Sequence, residues 1–143
     1  MIYTEQTKKA IKLCFAAHEG QKDKSGLPYV LHPIHLAEQM DDEASTIAAL
    51  LHDVVEDTDY TFEDLEQMDF PKDAMDAIRL LTHDDDVDYM DYVREIKINP
   101  IATKVKLADL AHNSDASRLP DEPTEKDVER FEKYRRARGI LRG

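Results

Sequence analysis

A single cysteine, Cys14, serves the whole 143-residue chain. No disulfide can therefore form within it, which fits a reducing compartment. Long apolar runs are missing too. The opening stretch MIYTEQTKKAIKLCFAAHEGQ alternates charge with apolar side chains and has neither a signal-peptide core nor a membrane span. A soluble, cytoplasmic protein is expected. Basic residues are scarce: 19 Lys and Arg stand against 31 Asp and Glu, a formal charge of -12. Such a field repels nucleic acid and anionic membranes, so neither is an expected partner, and an anionic small molecule would need a local basic pocket. There is no internal repeat, low-complexity segment or linker, and residues 1–143 fit a single domain.

Alternation at strand spacing is almost absent, whereas helical spacing recurs throughout. Ile11, Cys14, Phe15 and His18 fall at i, i+3, i+4 and i+7 and mark one face of a first helix. The segment GQKDKSGLPY breaks it as a loop, and Pro33 is suited to be the first residue of a second helix reaching about Met40, with His32 at its entrance. A third, very apolar helix is predicted from Glu43 to Asp57. Thr61 with Asp64 has the pattern of a capping box opening a short fourth. Further helices are predicted over 71–82, 88–98, 101–115 and 124–140. The acidic run THDDDVDY, residues 82–89, reads as a solvated loop. The fold class is all-α: a compact bundle of short helices.

Within the third helix, LLHDVVEDT places His52, Asp53, Glu56 and Asp57 among residues that belong in a core. Unpaired carboxylates there would cost several kcal/mol each. Arg and Lys are absent from residues 39–71, so the neighbouring sequence offers no counter-charge. A divalent metal held by imidazole nitrogen and carboxylate oxygen answers the need. His32, and Asp109 in the apolar VKLADLAHN, are the candidates to complete it. Either alone has a plainer reading, as a helix cap or a solvent-facing acid. Together with His52 and Asp53 they make a set of two nitrogens and two oxygens, with positions open for water. This set suits Mn²⁺, Fe²⁺, Co²⁺ or Zn²⁺.

The ordered series AHEGQ, LPYVLHPIHLAEQM, AALLHDVVEDT and LTHDDDVDYMDYVREIKINPIATKVKLADLAHNSD, from about residue 15 to about residue 135, resembles the HD-domain hydrolases of the RelA/SpoT alarmone family, especially its stand-alone small hydrolases. The resemblance implies a compact HD-domain bundle with metal ligands His32, His52, Asp53 and Asp109. It implies Mn²⁺ as the cofactor, and a reaction that removes the 3′-pyrophosphate from guanosine tetra- and pentaphosphate to leave GDP or GTP. Glu56 and Asp57 then correspond to the acid/base pair, and their crowding should push one pKa upward. Asn113 matches a nucleotide-holding position, Lys24 a basic position before the metal histidine, and Tyr134 a tyrosine facing the nucleotide. Lys22, Lys104 and Lys106 are further candidates to meet phosphates. Self-association is also implied.

One position departs from the family. Asp23 stands where an arginine usually accompanies Lys24; a carboxylate removes stacking on the base and repels polyphosphate. The alternatives are therefore an HD-domain phosphohydrolase of another nucleotide or phosphoester, and a nucleotide-binding regulatory module without turnover. Of the other histidines, His18 is predicted to face the core, His35 and His83 the surface, and His112 to support a ligand or the fold. The basic tail RRARGILRG reads as a solvated helix end.

Overall fold

The computed structural model describes residues 1–143. Nine α-helices follow one another: α1 Glu5–Ala17, α2 Leu31–Glu38, α3 Glu43–Leu51, α4 Val54–Asp57, α5 Phe62–Gln67, α6 Lys72–Leu81, α7 Tyr89–Ile96, α8 Pro100–Asn113 and α9 Glu125–Arg142. A 3₁₀ turn at Ala116–Arg118 precedes α9, and an isolated bridge between Lys22 and Pro28 is the sole β pairing. The all-α reading holds.

Caps set most of these boundaries. Thr61 and Asp64 close the expected box at α5, and Thr124 with Asp127 repeats it at α9. Asp88, from the acidic run, accepts the amides of Met90 and Asp91 to start α7. The second helix begins two residues earlier than predicted. Val30 already has helical angles, so Leu31 opens α2 and Pro33 lies within its first turn, where no amide donor is needed.

α3 is the central helix and packs against α1, α2, α6 and α8. Residues Ile47 through Leu51 are completely buried, and a leucine such as Leu50 contributes about 1.5–3 kcal/mol by leaving water. Cys14 lies in the same core at zero exposure, its thiol pushed up to about 12 by burial. Phe15 does not join it. It is 52% exposed, so the inward face of α1 runs through Ala10, Leu13 and Cys14 instead.

The predicted helix 43–57 is broken. α3 stops at Leu51, and Asp53 takes φ −121° and ψ 10°, outside helical geometry, before α4 resumes for four residues. The consequence is positional: His52 and Asp53 stay buried beneath the break, whereas Glu56 and Asp57 are carried outward to an exposed rim. Those last two carboxylates thereby escape full interior burial.

Candidate active site

His32 from α2, His52 from the break and Asp109 from α8 meet at one point. One ligand atom from each lies within 4.8 Å of the others, and all three side chains are buried. His32 Nε2 is 2.9 Å from Asp109 Oδ1, and His52 Nε2 is 3.5 Å from the same oxygen. The far side of each ring is fixed. His52 Nδ1 donates to the Ala49 carbonyl at 2.7 Å, an oxygen that can only accept. His32 Nδ1 faces His112 Nδ1 at 2.7 Å. Burial and the Arg118 charge lower the His112 pKa to about 4, so this ring is neutral and can accept. With Nδ1 engaged on each ring, both Nε2 atoms face inward, the arrangement by which outer partners orient ligating imidazoles.

Asp53 stands beside this trio, one oxygen 3.7 Å from His52 Nε2. Its two oxygens also meet the Tyr29 hydroxyl, which donates to Oδ2, and His18 Nε2 at 3.2 Å from Oδ1. His18 is core-facing as predicted. Its Nδ1 donates to Gln21 Oε1, while Gln21 donates onward to the Asp57 carbonyl. The loop between α1 and α2 positions Tyr29 through backbone bonds from Tyr29 to Gln21 and from Asp23 to Leu27. It turns at Gly26, whose φ of +80° suits glycine.

The electrostatics show what the site lacks. Burial favours a neutral His52 ring, yet the Asp53 and Asp109 charges outweigh it and hold the imidazole up at about 9. Asp109 is held well below the usual carboxylate range against the opposing effect of burial, chiefly by Lys106, His32 and His52. The carboxylates recruit positive charge wherever they can. A divalent ion fits this donor set of imidazole nitrogens and carboxylate oxygens.

His52 and Asp109 open into a cavity of about 350 Å³ with Asp53, Glu56, Asp57, Lys106 and Tyr134 along its lining. At the rim, Glu56 Oε1 accepts the His83 amide at 2.7 Å. Partial withdrawal from water, reinforced by the Asp53 and Glu56 charges, raises Asp57 to about 6. A carboxyl whose folded pKa lies above its unfolded value contributes stability below the unfolded value and loses it as pH rises through the folded one. In metal-free protein, Asp57→Asn should therefore melt higher than wild type above about pH 6, with the gap closing toward about pH 4. A gap that stays constant in thermal melts across that range refutes the assignment.

The expected substrate residues are divided between two cavities. Asn113 and Tyr134 line both the first and an adjoining one of about 330 Å³, which also carries Lys22, Lys24, Arg118 and Arg130. Asn113 Nδ2 donates to Asp109 Oδ1 at 3.0 Å. Lys24 reaches across to Asp127 at 3.1 Å. Lys106 is 9% exposed and bonds Asp109 Oδ2 at 3.0 Å, so it is first the counter-charge that the sequence near His52 lacked. Lys104 pairs with Asp41 and lines neither cavity. His35 is exposed as predicted, whereas His83 is half-buried and packs its ring 4.6 Å from Tyr92 at the cavity. Asp23 turns its carboxylate onto the Ser25 and Leu27 amides, capping its own loop.

Arg118, Arg130 and Lys133 were not foreseen. For the last two the signal was present. Positions 130, 133, 134, 137 and 141 share one face of α9, and Ala137 and Leu141 on it are buried.

The HD-domain family pattern matches residues 10–119. The bifunctional (p)ppGpp synthase/hydrolase SpoT of Escherichia coli is 35% identical over 116 residues, covering 68% of this chain and 16% of that protein. The GTP pyrophosphokinase of Streptomyces coelicolor is 38% identical over 125 residues, covering 76% of this chain and 14% of that protein. The chain thus spans less than a fifth of either relative's length. A solved structure of a metazoan SpoT ortholog superimposes over 100% of this chain and 89% of its own, with a TM-score of 0.78 and 28% identity. With the motif residues gathered as described, the chain belongs to the HD-domain family, in its RelA/SpoT type.

Proposed function

We propose that this chain hydrolyses the 3′-pyrophosphate bond of guanosine tetra- and pentaphosphate, yielding pyrophosphate and GDP or GTP, with Mn²⁺ as cofactor. The observation that carries this reading is the meeting of His32, His52 and Asp109, the last two lining a cavity whose rim carries the carboxylates Glu56 and Asp57. Relatives support it. One curated relative is a guanosine-3′,5′-bis(diphosphate) 3′-pyrophosphohydrolase, and the metazoan ortholog is described as hydrolysing ppGpp.

In this reading His32, His52, Asp53 and Asp109 hold the ion. When bound, such an ion polarises a phosphoryl oxygen and makes water acidic enough to act near neutral pH. The protein's own groups do the rest. Asp57, poised at about 6, takes a proton from the attacking water. Glu56, held by the His83 amide, orients that water. Lys106 fixes the Asp109 carboxylate, and the adjoining cavity, with Lys24, Arg118 and Arg130, receives the nucleoside and its 5′ phosphates.

Asp23 favours a second reading in which the same centre acts on another nucleotide or phosphoester. Its carboxylate is engaged by two backbone amides rather than free, but it supplies no planar cation for a base. Purified protein with Mn²⁺, offered guanosine tetraphosphate beside a nucleotide panel, should release GDP and pyrophosphate in equal amounts on chromatography. Turnover of another panel member with no pyrophosphate from guanosine tetraphosphate would replace the first reading by the second.

A further inference from the structure

Lys133 is a half-buried cation in a chain of net charge -12, yet it makes neither an ion pair nor a hydrogen bond. α9 packs on α7 and lays this side chain over the Tyr89 ring, its ammonium 4.4 Å from the centroid and 5.6 Å from that of Tyr134. The same ring is 5.8 Å from the Lys106 ammonium, which is bound to Asp109. A continuous wall therefore runs from the ligand carboxylate through Lys106 and Tyr89 to Lys133, and all four line the cavity. Lys106 has its carboxylate; Lys133 has only aromatic faces, a weaker partner than an anion. Burial and the nearby Lys106 and Arg130 charges lower its pKa, so positive charge at this end of the wall is unrelieved.

We infer that Lys133, seated on Tyr89, binds the outer phosphate of a pyrophosphate group whose inner phosphate lies at the His32, His52 and Asp109 centre, so that the cavity selects a diphosphate over a monophosphate as the group released. This rests on the proposed hydrolysis. There, water oxygen bonds to the inner phosphorus and the bond from that phosphorus to the 3′ oxygen breaks. The water proton passes to a rim carboxylate, which is restored as a proton is delivered to the 3′ oxygen that keeps the electron pair, and pyrophosphate leaves as one unit. Lys133 takes no proton in this; it holds the distal charge while the bond to the ribose breaks. It is a specificity-determining residue reading the length of the phosphate chain.

The test measures product binding, independently of turnover. Protein loaded with Mn²⁺ and freed of excess metal is titrated by calorimetry with inorganic pyrophosphate and, separately, inorganic phosphate. Lys133→Met should weaken pyrophosphate about 10- to 100-fold, the range for a lost charge-assisted bond, and leave phosphate nearly unchanged. Lys133→Arg should recover most of the loss. Unchanged pyrophosphate affinity in Lys133→Met, an equal loss for both anions, or no pyrophosphate binding by wild type each overturns the seat. The two ideas fail separately. A wild type inert toward guanosine tetraphosphate but with Lys133-dependent pyrophosphate binding sinks only the substrate reading. An active wild type with unaltered pyrophosphate binding in Lys133→Met sinks only the seat.

Discussion

Asp109→Ala should lose both its metal and about 3–5 kcal/mol of folding stability, the cost of stranding a buried charge. The two losses have different origins. Asp109 Oδ1 is the oxygen shared by His32 and His52, so its removal takes the carboxylate out of the proposed metal trio. Oδ2 is the sole carboxylate partner of Lys106, an ammonium 9% exposed between Tyr89 and Tyr92. Pairing Asp109→Ala with Lys106→Met should recover much of the stability and none of the metal. Thermal melts of the metal-free proteins and elemental analysis of the loaded ones separate the effects. Wild-type metal content in Asp109→Ala would remove it from the ligand set. A double variant no more stable than Asp109→Ala would show that Lys106 is not the stranded charge.

Glu56→Gln is expected to behave in the opposite way, keeping the metal and the fold while kcat falls by about 10²-fold, the size usual when a reacting group loses its positioning partner. Glu56 lies outside the buried trio, on the far side of the break at Asp53, and its one side-chain hydrogen bond is accepted from the His83 amide. Glutamine retains an oxygen for that bond, so a loss of rate reports the missing charge. Metal titration and kinetics on one preparation decide the matter. Parallel loss of metal and rate in Glu56→Gln would merge the two roles kept apart here.

What could be read from the chain, and what could not, follows from the range of the forces involved. His32 before its proline, His52 with Asp53, and Asp109 stand out because each places an ionisable group in an apolar neighbourhood, a purely local contradiction. The break between α3 and α4 carries no such mark. Neither glycine nor proline occurs there, and apolar residues flank both sides, so a continuous helix is the better local solution. Distant partners stabilise the observed one: Tyr29 and His18 engage the Asp53 carboxylate. Lys106 was visible as a lysine but not as the counter-ion of Asp109, although the i, i+3 spacing permits it. Phe15 had the right spacing and still faces outward, because helical periodicity cannot say which edge of an apolar stripe meets a neighbour.

The sealed thiol of Cys14 gives this molecule an internal clock. It is the only sulfhydryl, it has no exposed surface, and its high pKa removes the reactive thiolate, so a thiol reagent can modify it only after α1 has come away from the core. Labelling followed by mass spectrometry thus counts opening events directly, in a chain that has no tryptophan fluorescence to follow. Because His18, which caps the C-terminus of α1, meets Asp53, the tempo of that clock with and without added ion tests whether the proposed metal centre fastens the first helix to the remainder of the bundle.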